Sequence, residues 1–161
     1  GQGLSQAIGV TLAGQINNAD YRTICLMSDA ELQEGQNWEA IMFAGKNSLF
    51  RLTAIIDRNN IQIDGFTENV MPLEPLADKF KAFNWSVIEV DGHNIAEIIN
   101  AINKAKAIFE NPTVIIAHTI PGKGVDFMEG DYTWHGKPPN WMDAVEALRD
   151  LRTLGGKINY E

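Results

Sequence analysis

The sequence predicts a doubly wound, mostly parallel α/β domain. Three observations carry this. Four short apolar runs, Tyr21–Ser28, Leu52–Asp57, Trp85–Val90 and Thr113–His118, have the length and β-branched content of strands. Segments of helical length separate them. The first three runs end in polar turn residues, Asp29, Asp57-Arg58-Asn59-Asn60 and Asp91-Gly92-His93.

Each element follows from its residues. Gly3–Gln15 reads as a helix because Leu4, Ile8, Leu12 and Ile16 recur every four positions, with Ala7, Val10 and Ala13 widening the stripe. Asn17–Asp20 is a polar break. The first strand is almost continuously apolar, which predicts a central position covered on both faces. Gln36–Lys46 is a second helix with Trp38, Ile41, Met42 and Phe43 apolar. Asn59–Thr67 reads as an irregular connection with a turn at Asp64-Gly65. Pro75 opens a short helix to Phe83. Asn94 is placed to cap a helix over Ile95–Phe109, which Asn111-Pro112 stops. From Pro121 to Asn140, glycines and three prolines predict a long loop, and loops of that length inside a compact domain are usually functional or disordered. Trp141–Leu151 is a last helix, and Thr153–Glu161 a loosely held tail. No internal repeat or low-complexity segment is present.

Composition narrows the classes. The 161 residues suffice for one domain with a core, and 45% apolar with 21% charged residues is a globular balance. A net charge of −8 argues against non-specific nucleic-acid binding, which needs a basic face. The single cysteine, Cys25, lies inside a strand and forms no internal disulfide, which fits a reducing cytoplasm. No apolar run approaches membrane-spanning length, and no signal peptide is visible.

The stretch Ser28–Gly65 concentrates the chemistry. Two parallel strands joined by a helix place Asp29 and Asn59 side by side at the carboxyl edge of the sheet, where open α/β sheets bind ligands. A carboxylate and an amide carbonyl there make a hard oxygen site suited to Mg²⁺ or Ca²⁺. The bland alternative is that Asp29 caps a helix and Asn59-Asn60 is a turn. Glu34 and Glu39 equally fit the start of a solvated helix, where the macrodipole favours acidic residues. His135 sits in the long loop. Ile63 and Ile120 have core alternatives, Lys123 reads as surface or phosphate-reaching, and His93 and His118 read as structural.

The same stretch resembles the thiamine-diphosphate motif of transketolases, a Gly-Asp-Gly followed about thirty residues later by Asn. The pieces E-x-x-E-G-Q-x-W-E-A and I-x-I-D-G match closely, and T-I-P-G-K-G at Thr119–Gly124 and W-H-G at Trp134–Gly136 extend the likeness through nearly the whole chain. It looks most like the short N-terminal subunit of a split transketolase. Gly1-Gln2-Gly3-Leu4-Ser5 resembles the second half of the family's G-x-L-G-Q-G-L-S segment, so a single diphosphate-binding domain over residues 1–161, N-terminally incomplete, is expected. One departure stands out: Ser28-Asp29-Ala30 replaces Gly-Asp-Gly.

The resemblance implies the following. Asp29, Asn59 and the Ile61 carbonyl would ligate Mg²⁺ (or Ca²⁺), which neutralises the diphosphate on an acidic protein. The Ala30 N–H would donate to the diphosphate if its φ is negative. Ser28 would crowd the site or join it, so weakened binding, a shifted loop and no binding all stay open. Ile63 and Ile120 would pack against the thiazolium ring, and His135 would contact the diphosphate and face the substrate channel. Glu34, and less so Glu39, would lie at a subunit interface in a proton-sharing acidic cluster. The cofactor supplies the carbanion chemistry of ketol transfer between sugar phosphates. The glutamate that activates its aminopyrimidine belongs to a pyrimidine-binding domain on a C-terminal partner subunit, so the chain alone is expected to be inactive and to associate. Related domains of deoxyxylulose-phosphate synthase and 2-oxo-acid dehydrogenases, and a non-catalytic scaffold, are the alternatives. A nucleotide-binding domain is not supported, because no P-loop or G-x-G-x-x-G is present.

Overall fold

The computed structural model describes residues 1–158. The apolar runs become strands β1 (Thr23–Ser28), β2 (Leu52–Arg58), β5 (Ser86–Asp91) and β6 (Thr113–His118) of one parallel sheet in the order β1-β2-β6-β5. Ser28 aligns with Asp57 across β1 and β2, and Arg58 with His118 across β2 and β6. Between β2 and β5 lies a small antiparallel hairpin, β3 (Ile61–Gln62) with β4 (Gly65–Phe66).

Helix α1 (Gly3–Ile16) precedes β1, and α2 (Gly35–Lys46) links β1 to β2. The short helices α3 (Thr67–Val70) and α4 (Leu76–Ala82) lie on the way to β5. Helix α5 (Ile95–Lys106) links β5 to β6, and α6 (Trp141–Ile158) ends the described chain. The connection from β5 to β6 steps back along the sheet, opposite to that from β1 to β2. Right-handed crossovers therefore put α5 and α2 on opposite faces, the doubly wound arrangement.

One buried cluster joins α1, α2 and α4 to the sheet, with Leu4, Ile8, Ile41, Ile56, Phe80 and Val114 inside it. Phe80 is its aromatic centre, with ring centroids 6.0 Å from Trp38 and 5.5 Å from Trp85. Both indoles are tied to backbone: Trp38 Nε1 donates to the Leu32 carbonyl at 2.6 Å and Trp85 Nε1 to that of Ile41 at 2.9 Å.

Four details correct the sequence reading. Strand β1 is an edge strand covered on one face, not a central one. Cys25 and Met27 are buried beneath α1 and α2, whereas Ile24 and Leu26 are 51% and 73% exposed, because α5 lies over β5 and β6 instead. The connection after Asn59 is the β3–β4 hairpin rather than irregular chain. Helix α5 ends at Lys106, where Arg22 donates to the Ala105 and Lys106 carbonyls, so Phe109 lies outside it. Helix α6 runs past Leu151 to Ile158. The expected loose tail therefore falls on helix up to that point, and its last three residues lie outside the described residues.

The long loop is stapled by its own backbone. The Gly130 N–H returns to the Pro121 carbonyl at 2.9 Å, and Asp131 caps a 3₁₀ turn over Tyr132–Trp134. Gly122 takes φ +70°, and a Cβ there would stand 2.7 Å from the Met128 carbonyl oxygen, so this bend requires glycine. Tyr132 stacks edge-on against Phe66 of the hairpin at 5.5 Å.

Phe80→Ala should cost about 3–5 kcal/mol through the cavity it leaves. Leu26→Ser, on the open face of β1, should stay within about 0.5 kcal/mol of wild type. Urea unfolding followed by circular dichroism checks both, and equal costs would contradict the one-sided packing of β1.

Candidate cofactor site at the carboxyl edge of the sheet

The site begins where β1 and β2 stop. Parallel pairing brings their carboxyl ends level, and Asp29 follows β1 directly, with its N–H donating to the Asp57 carbonyl at 3.1 Å. A 3₁₀ turn over Ala30–Gln33 leads from it into α2. Ser28 and Glu31 brace this turn reciprocally. The Ser28 N–H donates to Glu31 Oε2 at 2.8 Å, and the Glu31 N–H to Ser28 Oγ at 3.3 Å, the pattern of a capping box. Neither Ser28 nor Ala30 takes a positive φ, and Asp29 itself sits at φ −65°. The backbone here does not need the two glycines, so serine and alanine are accommodated without strain.

Asp29 is fully buried. Its Oδ2 accepts from Arg58 Nη1 at 2.8 Å and from the Asn60 N–H at 2.8 Å. Asn60 delivers that N–H by adopting φ 64°, a conformation asparagine tolerates better than most residues. Oδ1 has no hydrogen-bond partner; the Ala30 N–H is near enough to act on the charge without bonding it. Burial pushes the Asp29 carboxyl above its ordinary range, against the pull of Arg58 and of the Asn60 N–H. The carboxylate is thus under-satisfied on one oxygen.

Arg58 is the residue the sequence reading passed over. Its side chain is 3% exposed and also reaches Thr67 Oγ1 at 2.9 Å, Glu68 at 2.7 Å and Glu74 at 2.9 Å. Burial works against its charge, but the hydrogen bonds to Asp29, Glu68 and Glu74 outweigh it and hold its pKa above the ordinary value. A signal was available: Arg58 falls in phase with the inward-facing Ala54 and Ile56 of β2, and a buried arginine demands partners.

Asn59 stands beside this pair. Its Nδ2 donates to Asp57 Oδ2 at 3.1 Å and its Oδ1 accepts from the Ile61 N–H at 3.0 Å, fixing the amide with its oxygen toward the hairpin. A cavity of about 390 Å³ opens over this edge. Asn59, Ile61 and Ala30 line it, together with Ser28, Glu34, Ile63 and His135. Ile120 is not on its wall; it stands at the root of the loop. Ile63 is 74% exposed, so its core alternative is excluded, whereas Ile61 is buried. Glu34, Glu39, Lys123 and His93 are exposed, and His118 pairs with Glu89 at 2.9 Å.

The donor set fits a divalent cation held jointly with a ligand. The buried, unpartnered Oδ1 of Asp29 and the amide oxygen of Asn59 are hard donors on one edge. Among the described residues no three His, Cys, Asp or Glu side chains form a metal cage, so an anionic ligand would have to complete the shell. No lysine or arginine lines the cavity, and Glu31 and Glu34 do. A cation would offset the charge of a diphosphate at this acidic wall.

Comparison with known proteins identifies the class. Residues 1–156 match the family model described as transketolase, thiamine diphosphate binding domain. A 6-deoxy-6-sulfo-D-fructose transketolase subunit of a Clostridium species is 46% identical over 151 residues, covering 92% of this chain and 55% of that protein. An apulose-4-phosphate transketolase subunit of Phocaeicola vulgatus is 41% identical over 161 residues, covering all of this chain and 57% of that protein. The chain thus spans little more than half the length of these relatives. A solved transketolase from Pichia stipitis in complex with sedoheptulose-7-phosphate superposes with a TM-score of 0.84 at 31% identity, over 91% of this chain and 23% of that one. The chain belongs to the transketolase family, as its N-terminal thiamine diphosphate-binding domain. Among the described residues no helix is long and apolar enough to cross a membrane.

Arg58→Met should cost about 3–5 kcal/mol, because it leaves the Asp29 charge buried and unpaired. Adding Asp29→Leu should recover much of that loss, and urea denaturation of the two variants measures the difference. An Arg58→Met protein as stable as wild type would show that the pair does not hold this edge together.

Proposed function

We propose that this chain is the diphosphate- and metal-binding part of a two-chain transketolase that moves a two-carbon ketol unit between sugar phosphates. The observation that carries the reading is the buried, unpartnered Oδ1 of Asp29 beside the Asn59 amide, at the sheet edge of a domain of this family. Bound thiamine diphosphate would supply carbanion-stabilising chemistry on its own ring. The chain's residues would do the rest of the holding. Asp29, Asn59 and the Ile61 carbonyl would hold Mg²⁺ (or Ca²⁺), which would offset the diphosphate charge beside an otherwise acidic wall, and the Ala30 N–H would donate to the diphosphate. Ile63 offers apolar surface to the ring, with Ile120 behind it at the loop root. His135 approaches from the loop and meets the diphosphate and the incoming sugar phosphate. Glu34, exposed on the same cavity, faces the partner subunit, and Glu39 extends that surface.

Two of the relatives are called subunits in their own names, which supports a partner chain here. That partner would carry the pyrimidine-binding domain and the group that activates the cofactor, so this chain alone would not transfer ketol units. Self-association of the pair, a cytoplasmic location and a place in sugar-phosphate metabolism accompany the reading. A scaffold that has lost the cofactor is the rival that Ser28 and Ala30 raise. The relaxed backbone at these two residues supports the enzyme reading over it.

Titration calorimetry of thiamine diphosphate with Mg²⁺, on this chain alone and mixed with a pyrimidine-domain partner, decides between them. Binding should require Mg²⁺, tighten with the partner, and vanish in Asp29→Ala while circular dichroism shows that variant folded. Absence of binding in both settings, from folded wild-type protein, would leave the scaffold.

A further inference from the structure

The turn that follows β5 is docked on the end of β6. The Gly92 N–H donates to the His118 carbonyl at 2.8 Å, and a Cβ on Gly92 would stand 2.9 Å from that same oxygen, so only glycine lets the turn lie this close. Asp91 Oδ1 accepts the His93 N–H at 2.9 Å, and Asn94 caps α5, so the backbone of His93 is held from both sides. Its ring reaches across to the loop, where Nε2 accepts the Ile120 N–H at 2.8 Å. An imidazole nitrogen that accepts carries no proton, which places the ring proton on Nδ1 of a neutral histidine.

Thr119, one residue earlier, is clamped on the opposite side. Its hydroxyl donates to Asp57 Oδ1 and its N–H to the Arg58 carbonyl at 3.1 Å, while Asp57 Oδ2 holds the Asn59 amide. The chain therefore leaves β6 with consecutive residues fixed to the Asn59 side and to His93. Beyond them, Pro121 takes the returning Gly130, and the segment from there carries Tyr132, packed on Phe66, and His135.

We propose that His93 is a positioning residue for the cofactor site. Its neutral imidazole fixes the Ile120 amide and thereby the root of the loop that brings His135 to the cavity lined by Asn59. The inference rests on the cofactor reading only for what the loop serves; the clamp itself stands on hydrogen bonds of this chain. The sequence reads His93 as a structural residue of a turn but gives no sign of its partner, the Ile120 amide.

The test compares wild type with His93→Ala and His93→Gln, whose amide oxygen can take over as acceptor. Amide exchange of Ile120 should be about tenfold faster in His93→Ala and near wild type in His93→Gln, with the same unfolding midpoint in all three. The nitrogen shift of Nε2 in wild type should be that of an unprotonated ring nitrogen. Affinity for thiamine diphosphate with Mg²⁺ should fall severalfold in His93→Ala and return in His93→Gln. An Ile120 amide equally protected in His93→Ala, or a protonated Nε2, overturns the clamp even where the cofactor binds. Faster Ile120 exchange with undiminished cofactor affinity overturns the positioning role. Wild-type protein that binds no cofactor with or without a partner sinks the cofactor reading, and the exchange comparison then decides the clamp by itself.

Discussion

A guanidinium almost wholly removed from water joins the end of β2 to three other parts of the molecule. Arg58 meets Asp29 after β1, Thr67 and Glu68 at α3, and Glu74 ahead of α4. Desolvating a charge is costly, and a buried pair of this kind often adds little net stability over apolar residues of the same volume. Its consequence here is geometric. With one oxygen of Asp29 occupied by Arg58 and the Asn60 N–H, the other is held at the sheet edge with nothing to accept from. Burial is what pushes the Asp29 carboxyl up, against the pull of Arg58 and the Asn60 N–H. A second positive charge at Oδ1 would relieve that push, which is the electrostatic case for a cation at this place.

The same frame shows how the backbone accommodates serine and alanine at residues 28 and 30. Glycine matters where a backbone must take positive φ or lie against another group, as at Gly122 and Gly92. At residues 28 and 30 the backbone takes no positive φ. Ser28 instead enters a reciprocal bond pair with Glu31 that stiffens the turn carrying Asp29. Rigidity that glycines cannot give is supplied locally, and the unusual residue that follows β2, Asn60 at φ 64°, is an asparagine rather than a glycine. Of the described non-glycine residues at positive φ, Asn60 is the one at this site; Asn18, Ser48 and Asn84 follow helices elsewhere.

Much of this was legible in the sequence because it depends on short-range pattern. Period and punctuation located the four strands, and parallel pairing of the first two dictated that Asp29 and Asn59 end level. What was not legible depends on pairing at a distance. An all-apolar run such as Thr23–Met27 has the same pattern whether one face or both are covered, so β1 was expected in the centre and lies at the edge. Arg58 was visible as a residue, but its partners at 67, 68 and 74 lie beyond a hairpin that the reading took for irregular chain. The loop 121–140 had the composition of disorder. Its order comes from backbone bonds such as Gly130 to Pro121, which leave no trace in residue type.

The form of the cavity bears on why a second chain belongs to the proposed enzyme. Ketol-transfer chemistry gains from a site that excludes water, since every electrostatic contact strengthens and reactive species are protected. The wall described here is one-sided: Ile63 is largely exposed, Glu34 lies open, and His135 faces solvent from the loop. The loop is already held at its root by Ile120 on His93 and near its middle by Tyr132 on Phe66. Under the proposed function, closure would come from a body that docks against Glu34 and Ile63. A pyrimidine-binding partner would do this by the same step that delivers its activating group, which would make assembly and water exclusion one event.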